Sequence, residues 1–290
     1  MLGIDIGGTN IKAGCLHAGS RRVLNFTSHP TPRTAKALNE FLLELVRDYR
    51  SRFRIQRIGL GVAGQLDLTS GALLKSGNLP WHNFPLLTWL KHAAKLPVTI
   101  DNDANAFTLA EASLGAGRGY TNVIGVTLGT GVGGGIVIQG KLHCGRGNAG
   151  ELGHLLQSNR WPRGPFNKHD DIEEQLQAAA LLSAAKRRGL AVTSVASLAH
   201  HQSRAATVIW HRFGSLLSYA LASLSHILDP DIIIVGGQIA KAWPRFIRPL
   251  RTELKHSCIF LHPPRLARAK LGDQAGVIGA ALLTKHYART

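Results

Sequence analysis

The chain has 290 residues, of which 44% are hydrophobic and 18% are charged, and these proportions are typical of a globular protein rather than a disordered one. This length can bury the core of two domains or of one large domain. The formal net charge of +17 would attract polyanions, but the basic residues are spread along the chain without a zinc-finger, basic-zipper or aromatic-rich RNA-binding pattern, so we predict no nucleic-acid partner.

The N-terminal part of the chain predicts an α/β domain, because strands and helices alternate along it. Apolar alternation predicts a hairpin over residues 2–16 and a third strand over 23–28. Further apolar runs predict strands at 58–62 and 98–100, the second of which leads into Asp101-Asn102-Asp103. Helical spacing predicts helices over 34–49, 86–95 and 104–114.

A glycine-rich segment at 115–119 is interpreted as the joint to a second lobe. The elements predicted beyond it are strands at 122–128, 134–139 and 231–235, helices at 171–188 and 203–227, another helix after Gly236-Gly237, and a final helix at 275–287. The predicted domains are residues 1–114 together with 275–290, and residues 115–274.

Two glycine turns are candidate phosphate-binding elements. The first follows the strand that carries Asp5, and the second lies at 129–135. Because glycine has no Cβ, an anion can approach the backbone N–H groups of such turns, and a carboxylate beside them suits a metal-bound phosphate. The two turns predict a nucleotide held between two lobes.

Other nucleotide-binding patterns are excluded by their context. The GxGxxG matches at 59–64 and 129–134 are not followed by a predicted helix, and no GxxxxGK[ST] occurs. No signal-peptide pattern or membrane-spanning apolar run is present, so we predict a cytoplasmic protein without a membrane partner. The isolated Cys15, Cys144 and Cys258 are expected to be reduced thiols.

Several blocks of sequence, taken in order, resemble the ROK family (repressor, open reading frame, kinase) of sugar kinases, within the actin-like ATPase superfamily. The blocks are Gly3 to Lys12, Asn102 to Ala106, Gly129 to Gly135, Gly150 to His154 and Asp231 to Gly237. The resemblance implies an α/β, two-domain actin-like ATPase fold, with ribonuclease-H-like domains that close over a hexose and a phosphoryl donor. It also implies a homodimer.

The resemblance implies ATP and Mg²⁺ as cofactors. The matching residues are Asp5, Gly7, Gly8 and Thr9 in a first phosphate motif, Gly129, Thr130 and Gly131 in a second, and Gly236 and Gly237 in a nucleotide motif. Asp5 is expected to act on Mg²⁺ through its water shell, and the first glycine amides to face the transferring phosphate. A plain strand-to-helix turn is the alternative for Gly236 and Gly237.

The resemblance also implies a sugar site. Its matching residues are Asn78, Asn102, Asp103, Glu151, His154 and Glu173, with Glu174 replacing Glu173 if the alignment shifts by one position. Asp103 matches the catalytic base, which aligns the acceptor hydroxyl and removes its proton. The alternative is that Asp103 only caps the following helix. Asn102 is expected to bind a sugar hydroxyl, and Asn78 either does the same or satisfies its own turn.

The chain departs from the family pattern after His154. Many members carry CxCGxxGC there, and those cysteines hold structural zinc together with the histidine, whereas residues 161–169 contain no cysteine. His154 and His169 alone cannot complete a closed site of four ligands. We therefore predict no zinc, and we expect packing of Trp161 and Phe166 to hold this loop.

The resemblance favours an ATP-dependent hexose kinase, with glucose as the preferred substrate because Glu151 accompanies His154. N-acetylmannosamine, N-acetylglucosamine and fructose stay open as substrates. Polyphosphate is the alternative donor, because Lys12 and the cysteine-free loop resemble polyphosphate-using glucokinases. A sugar-responsive repressor is a rival class, but its DNA-binding domain would precede the first phosphate motif, which starts at residue 3. A catalytically dead sugar-binding protein is disfavoured by intact Asp5 and Asp103.

Overall fold

The computed structural model of the protein describes residues 1–17, 22–156, 171–259 and 262–288. The strands are β1 (Leu2–Ile6), β2 (Asn10–Leu16), β3 (Val23–Pro30), β4 (Ile58–Val62), β5 (Gln65–Asp67), β6 (Ala72–Lys75), β7 (His82–Phe84), β8 (Val98–Asn102), β9 (Val123–Leu128), β10 (Val132–Ile138), β11 (Lys141–Leu142), β12 (Ile232–Gly236) and β13 (Arg265–Arg268). The α-helices are α1 (Ala35–Arg52), α2 (Leu86–Ala94), α3 (Asp103–Leu114), α4 (Ile172–Leu176), α5 (Ala178–Lys186), α6 (Val195–His200), α7 (Arg204–Leu228), α8 (Trp243–Ser257) and α9 (Ala275–His286). Short 3₁₀ helices cover Leu152–His154, Ile239–Ala242 and Gly272–Gln274.

The first sheet has the strand order β3-β2-β1-β4-β8. The hairpin strands β1, β2 and β3 are antiparallel, whereas β1, β4 and β8 are parallel. The register aligns Asp5 of β1 with Gly61 of β4, and Gly61 with Asp101 of β8. Neighbouring strands lie about 4.8 Å apart. The acid of the first motif and the Asp101–Asp103 segment are therefore held two strands apart at the same level of the sheet.

Helix α9 packs on this sheet through glycine positions. A Cβ on Gly59 would lie 1.7 Å from the carbonyl oxygen of Ala280, and one on Gly3 would lie 2.0 Å from that of Val277. Real Cβ atoms do not approach this closely, so these positions need glycine to let the helix backbone reach the strands. The final helix of the chain is thus part of the core beneath β1 and β4.

The second sheet has the order β11-β10-β9-β12-β13, and β12 is parallel to both β9 and β13. Strand β12 is buried along its whole length, as expected for a central parallel strand. Helices α7 and α8 pack beside it through an aromatic cluster of Trp210, Phe213 and Phe246.

The chain forms two compact units. The first comprises residues 1–121, 135–149 and 270–290, and the second comprises 122–134 and 150–269. The predicted division, 1–114 with 275–290 against 115–274, differs chiefly in placing 135–149 with the second lobe. Strand β10 crosses this boundary without a break. No feature of its sequence therefore marks the residue at which the chain passes from one unit to the other.

Two further expectations differ from the structure. The single helix predicted over 171–188 is divided into α4 and α5, because Gln177 is extended and the N–H of Ala178 donates to the carbonyl of Gly129 at 2.9 Å. The small sheet β5-β6-β7 was not predicted, since its strands are only three or four residues long. In the part of the chain that the structure describes, no helix is both long and apolar enough to cross a membrane.

Candidate active site

Asp5 lies in β1 directly opposite Lys12 of β2 and is partly buried. Burial, and to a smaller extent the nearby Asp103, raise the pKa of its carboxyl, Lys12 opposes both effects, and the resulting pKa is about 7. Two carboxylates that disfavour each other's charge make a site at which a cation is stabilising.

The first turn of α9 lies against Asp5. A Cβ on Gly276 would be 2.3 Å from Oδ2 of Asp5, so only glycine fits at this position without moving the carboxylate. The sequence analysis did not identify Gly276, because its partner lies at the opposite end of the chain.

The turn after β1 uses one of the amides that were expected to face a phosphate. The N–H of Gly7 donates to the carbonyl of Asn10 at 3.1 Å, and the carbonyl of Gly7 accepts from the Thr31 hydroxyl at 2.6 Å. The Gly7 amide thus closes the turn, and its expected contact with the transferring phosphate stays a prediction. Within the described residues, no backbone acceptor is found for the amides of Gly8 and Thr9, and the contact of the Gly8 amide with the transferring phosphate stays a prediction.

Gly8 also brings the loop containing Asn78 to the same turn. A Cβ on Gly8 would lie 2.2 Å from the Cβ of Asn78. The side chain of Asn78 is exposed, and the turn around it is supported by Ser76, whose hydroxyl accepts from the N–H groups of Asn78 and Leu79 at 3.2 Å. The Ser76 hydroxyl thus supports this turn, and the contact of Asn78 with a sugar stays a prediction.

The junction between β8 and α3 separates the roles of Asn102 and Asp103. Oδ1 of Asn102 accepts from the N–H groups of Ala104 at 2.8 Å and Asn105 at 3.4 Å, which makes Asn102 the N-cap of α3. Asp103 is the first residue of the helix, and its Oδ1 also accepts from the Ala104 N–H at 3.0 Å, so its role as the base stays a prediction. The remaining amide group of Asn102 donates to the carbonyl of Gly64 at 3.4 Å.

Asp101 lies directly before this junction and holds it through hydrogen bonds. No role was predicted for Asp101 from the sequence. It is fully buried, and its carboxylate accepts from the Asn102 N–H at 2.7 Å, the Asn105 amide at 2.9 Å and the Tyr287 hydroxyl at 2.5 Å. A buried carboxylate with three donors is satisfied without a cation. Its position directly before the Asn102-Asp103 pair was the available signal.

In the second unit, the three predicted sugar contacts lie near one another. Burial raises the pKa of Glu151, and this carboxyl interacts electrostatically with both His154 and Glu173. Oε2 of Glu173 accepts from the N–H of Val132 at 2.8 Å, beside the second phosphate motif. The neighbouring Glu174 is exposed. The grouping therefore favours Glu173 over Glu174 as the third contact.

The side chain that holds His154 is Asp171, which the sequence analysis missed. Nδ1 of His154 lies 3.1 Å from Oδ2 of Asp171, which is 7% exposed. This hydrogen bond is the main reason that the pKa of His154 is raised. The expected packing of Trp161 and Phe166, together with His169, lies outside the described residues.

The second phosphate motif and the nucleotide motif contain some glycines that the local backbone structure requires and others that it does not. Around Gly129, a Cβ would meet nothing within 4 Å, and Thr130 is exposed, whereas Gly131 lies against the Glu173 carboxylate. Gly237 has φ of +85°, and its Cβ would lie 2.3 Å from the Leu128 carbonyl oxygen. Backbone geometry thus accounts for Gly237, while a nucleotide contact by Gly236 and Gly237 stays a prediction.

Zinc is a separate expectation. Across residues 1–17, 22–156, 171–259 and 262–288, no group of three or more His, Cys, Asp or Glu side chains is arranged to hold a metal ion. We expect elemental analysis of untagged protein to find well under one zinc per chain, because the sequence after His154 contains no cysteine cluster. Stoichiometric zinc that survives dialysis, and whose chelation lowers the melting temperature, would contradict this prediction.

The chain combines an α/β fold with an acidic strand end, a glycine turn and the Asn102–Asp103 junction. This combination is that of sugar kinases with the actin-like ATPase fold. The family model described as the ROK family matches residues 1–287, and the chain belongs to this family. The predicted family and fold class are therefore confirmed.

Known proteins resemble the chain over nearly its whole length. It is 31% identical to a glucokinase of Halalkalibacterium halodurans, covering 98% of this chain and 94% of that protein. It is likewise 31% identical to an N-acetyl-D-glucosamine kinase of Escherichia coli, covering 97% and 98%. A ROK family glucokinase from Streptomyces griseus, solved in complex with glucose and AMPPNP, superposes with a TM-score of 0.82 at 30% identity, covering 97% and 98%.

Proposed function

We propose that the protein is an ATP-dependent glucokinase that transfers the terminal phosphoryl group of ATP to the 6-hydroxyl of glucose. The observation that carries the proposal is the junction at the start of α3, where Asn102 caps the helix and Asp103 follows as its first residue. A carboxylate in this position can align an acceptor hydroxyl and take its proton. The glucokinases among the relatives support the same substrate and donor.

The roles of the other sugar residues follow from their hydrogen-bonding capacity. The carboxylates of Glu151 and Glu173 accept hydrogen bonds from sugar hydroxyls, as does a neutral ring nitrogen of His154. In the first unit, Asn78 and Asn102 contribute amide groups that both donate and accept. Orienting the hydroxyl that reacts is the main contribution a protein makes to phosphoryl transfer.

Asp5 fits a site for Mg²⁺. Its carboxyl is partly buried, and its pKa is raised by burial and by Asp103, so a divalent cation nearby would stabilise the ionised form. Mg²⁺ would supply neutralisation of the charge on the phosphate oxygens. Asp5 would hold the ion through its water shell, while the amides of Gly8 and Thr9 donate to phosphate oxygens.

The proposed function is tested by measuring sugar phosphate formation with glucose, N-acetylglucosamine, N-acetylmannosamine and fructose. We expect the highest kcat/KM with glucose. The equal identity to an N-acetyl-D-glucosamine kinase makes that amino sugar the second candidate. A higher kcat/KM with N-acetylglucosamine would replace glucose as the substrate, and failure with every sugar would refute the kinase proposal.

The donor is predicted to be ATP rather than polyphosphate. The net charge of +17 favours a long polyanion, but the basic residues are dispersed, and a relative was solved with the ATP analogue AMPPNP. We expect kcat/KM to be higher with ATP at both low and moderate salt. Polyphosphate activity should fall steeply with salt, because several Lys and Arg contacts would be screened. A polyphosphate kcat/KM equal to or above that of ATP would overturn the prediction.

The rest of the proposal concerns location and assembly. We propose a homodimer that acts in the cytoplasm on small molecules, without a nucleic-acid or membrane partner. The dispersed charge supports the absence of a nucleic-acid partner. Light scattering at several protein concentrations tests the dimer.

A further inference from the structure

The hydrogen bond between His154 and Asp171 constrains the histidine ring. An ionised carboxylate can only accept, so the ring nitrogen that faces it must carry a proton. Nδ1 of His154, 3.1 Å from Oδ2 of Asp171, is therefore the donor. In the neutral ring this leaves Nε2 without a proton and able to accept a hydrogen bond. The side chain of His154 is 65% exposed, whereas Asp171 is buried, so the imidazole lies between its partner and solvent.

The position of Asp171 is fixed independently of His154. Its second oxygen, Oδ1, accepts from the N–H of Glu174 at 2.9 Å and caps helix α4. Asp171 also forms an antiparallel bridge with Leu156, and the N–H of Ile172 donates to the carbonyl of Leu155 at 3.0 Å. The histidine and its partner thus lie on paired segments, and within the described residues each carboxylate oxygen of Asp171 has one hydrogen-bond partner.

We propose that Asp171 is the positioning residue of the sugar site, which holds His154 in the tautomer whose Nε2 accepts a hydrogen bond from a sugar hydroxyl. This inference rests on the proposed function, in which His154 contacts the sugar. Glu151 and Glu173, the acidic groups that interact with the ring, are also acceptors when ionised. The three described sugar-site side chains of the second unit would then all be acceptors, which select a ligand face made of hydroxyl donors.

The substitution Asp171→Asn separates this role from helix capping. Asparagine caps helices as well as aspartate does. The N–H of Glu174 needs an acceptor, so the side-chain oxygen of the introduced asparagine must take the place of Oδ1. The amide nitrogen of that asparagine then faces His154. That nitrogen donates to Nδ1, which moves the ring proton to Nε2 and turns the acceptor into a donor. The substitution Asp171→Ser keeps a capping oxygen but removes the group facing His154, so the ring can still adopt the productive tautomer.

The proposal therefore predicts an unusual rank order. At a pH high enough for the imidazole to be neutral, Asp171→Asn should raise the KM for glucose about 10- to 100-fold, as expected when a sugar hydroxyl meets a donor in place of its acceptor. Asp171→Ser should raise it less. The KM for ATP and the melting temperature should change little in the asparagine variant. A residue that only supported α4 would give the opposite order, with asparagine the milder change.

The hydroxyl involved is identified by pairing the variant with deoxyglucoses. For the hydroxyl that His154 contacts, the effects of Asp171→Asn and of hydroxyl removal should be non-additive, and for the others they should add. Glu44→Gln is the control, because this carboxylate is exposed on helix α1 and has no role in the proposed site, and it should leave every KM unchanged.

A readout without turnover keeps this inference separate from the proposed function. Long-range ¹H–¹⁵N NMR of the imidazole should show the proton on Nδ1 in the wild type and on Nε2 in Asp171→Asn. A wild-type ring protonated on Nε2, or an asparagine variant with the wild-type KM, would overturn the role of Asp171. A wild type that phosphorylates no sugar would instead refute the kinase proposal, whatever the tautomer.

Discussion

Replacing Asp103 with asparagine is expected to reduce kcat by two to four decades, or about 3–5 kcal/mol, while glucose binding largely survives. Asparagine is nearly isosteric but cannot accept the proton of the reacting hydroxyl. Because Asn102 already caps α3, the variant should keep the fold of the junction. The measurement is steady-state kcat for ATP and glucose, combined with calorimetry of glucose binding.

The matched control is Asp273→Asn, an exposed aspartate in the 3₁₀ helix before α9. It should have the wild-type kcat. Near-normal turnover by folded Asp103→Asn would remove Asp103 from the mechanism. Loss of glucose binding as well as turnover would show that Asp103 serves binding rather than proton transfer.

The variant Asp5→Asn is expected to lose activity and gain stability. Removing the carboxylate that holds Mg²⁺ should lower kcat/KM by about 10²-fold or more. Burial and Asp103 raise the pKa of Asp5 to about 7, so in the metal-free protein its charge is a cost to folding above that pH. After discounting for the partial exposure of the side chain, asparagine should add about 2 kcal/mol at pH 8, which corresponds to a few degrees in Tm.

The sign of the pH dependence makes this prediction specific. A carboxyl whose folded pKa lies above its unfolded value binds more protons when folded, so its contribution to stability falls as pH rises from about 4 to 7. The Tm advantage of Asp5→Asn should therefore be largest at pH 8 and vanish near pH 4. Thermal melts without Mg²⁺ at both pH values test it. Destabilisation at pH 8 would show that the Asp5 charge stabilises the folded protein.

The sequence predicted features that depend on contiguous residues. The strand carrying Asp5, the Asn102-Asp103 pair at a strand end and the long helix α7 each have a local pattern of apolar spacing and turn residues. Features that depend on distant partners were missed. Asp171 and Gly276 gain their roles from His154 and Asp5, and neither contact has a periodicity that a single sequence reveals.

Hydrogen-bond assignments within a turn were also beyond the sequence. In the sequence, Gly7 and Gly8 look equally able to donate a backbone N–H to a phosphate, yet the Gly7 amide closes the hairpin onto Asn10. Likewise, Asn102 and Asp103 are both good capping residues, and only the backbone at the end of β8 decides that Asn102 is the cap. The preference for Glu173 over Glu174 as the third sugar contact also depends on the three-dimensional structure. It rests on the end of α4 at Gln177 and on the hydrogen bond from the Val132 N–H to Glu173.

The packing of α9 has a consequence for synthesis on the ribosome. Its residues contribute to a buried cluster with Leu16, Val23 and Ala110, all of which are translated much earlier. The first sheet therefore keeps an apolar surface uncovered until the segment near residues 275–286 leaves the exit tunnel. Nascent chains expose such surfaces to chaperones and to aggregation. The first sheet is thus synthesised early but is completed only when α9 packs on it. The absence of a Cβ at Gly3 and Gly59 leaves the space that the α9 backbone later occupies.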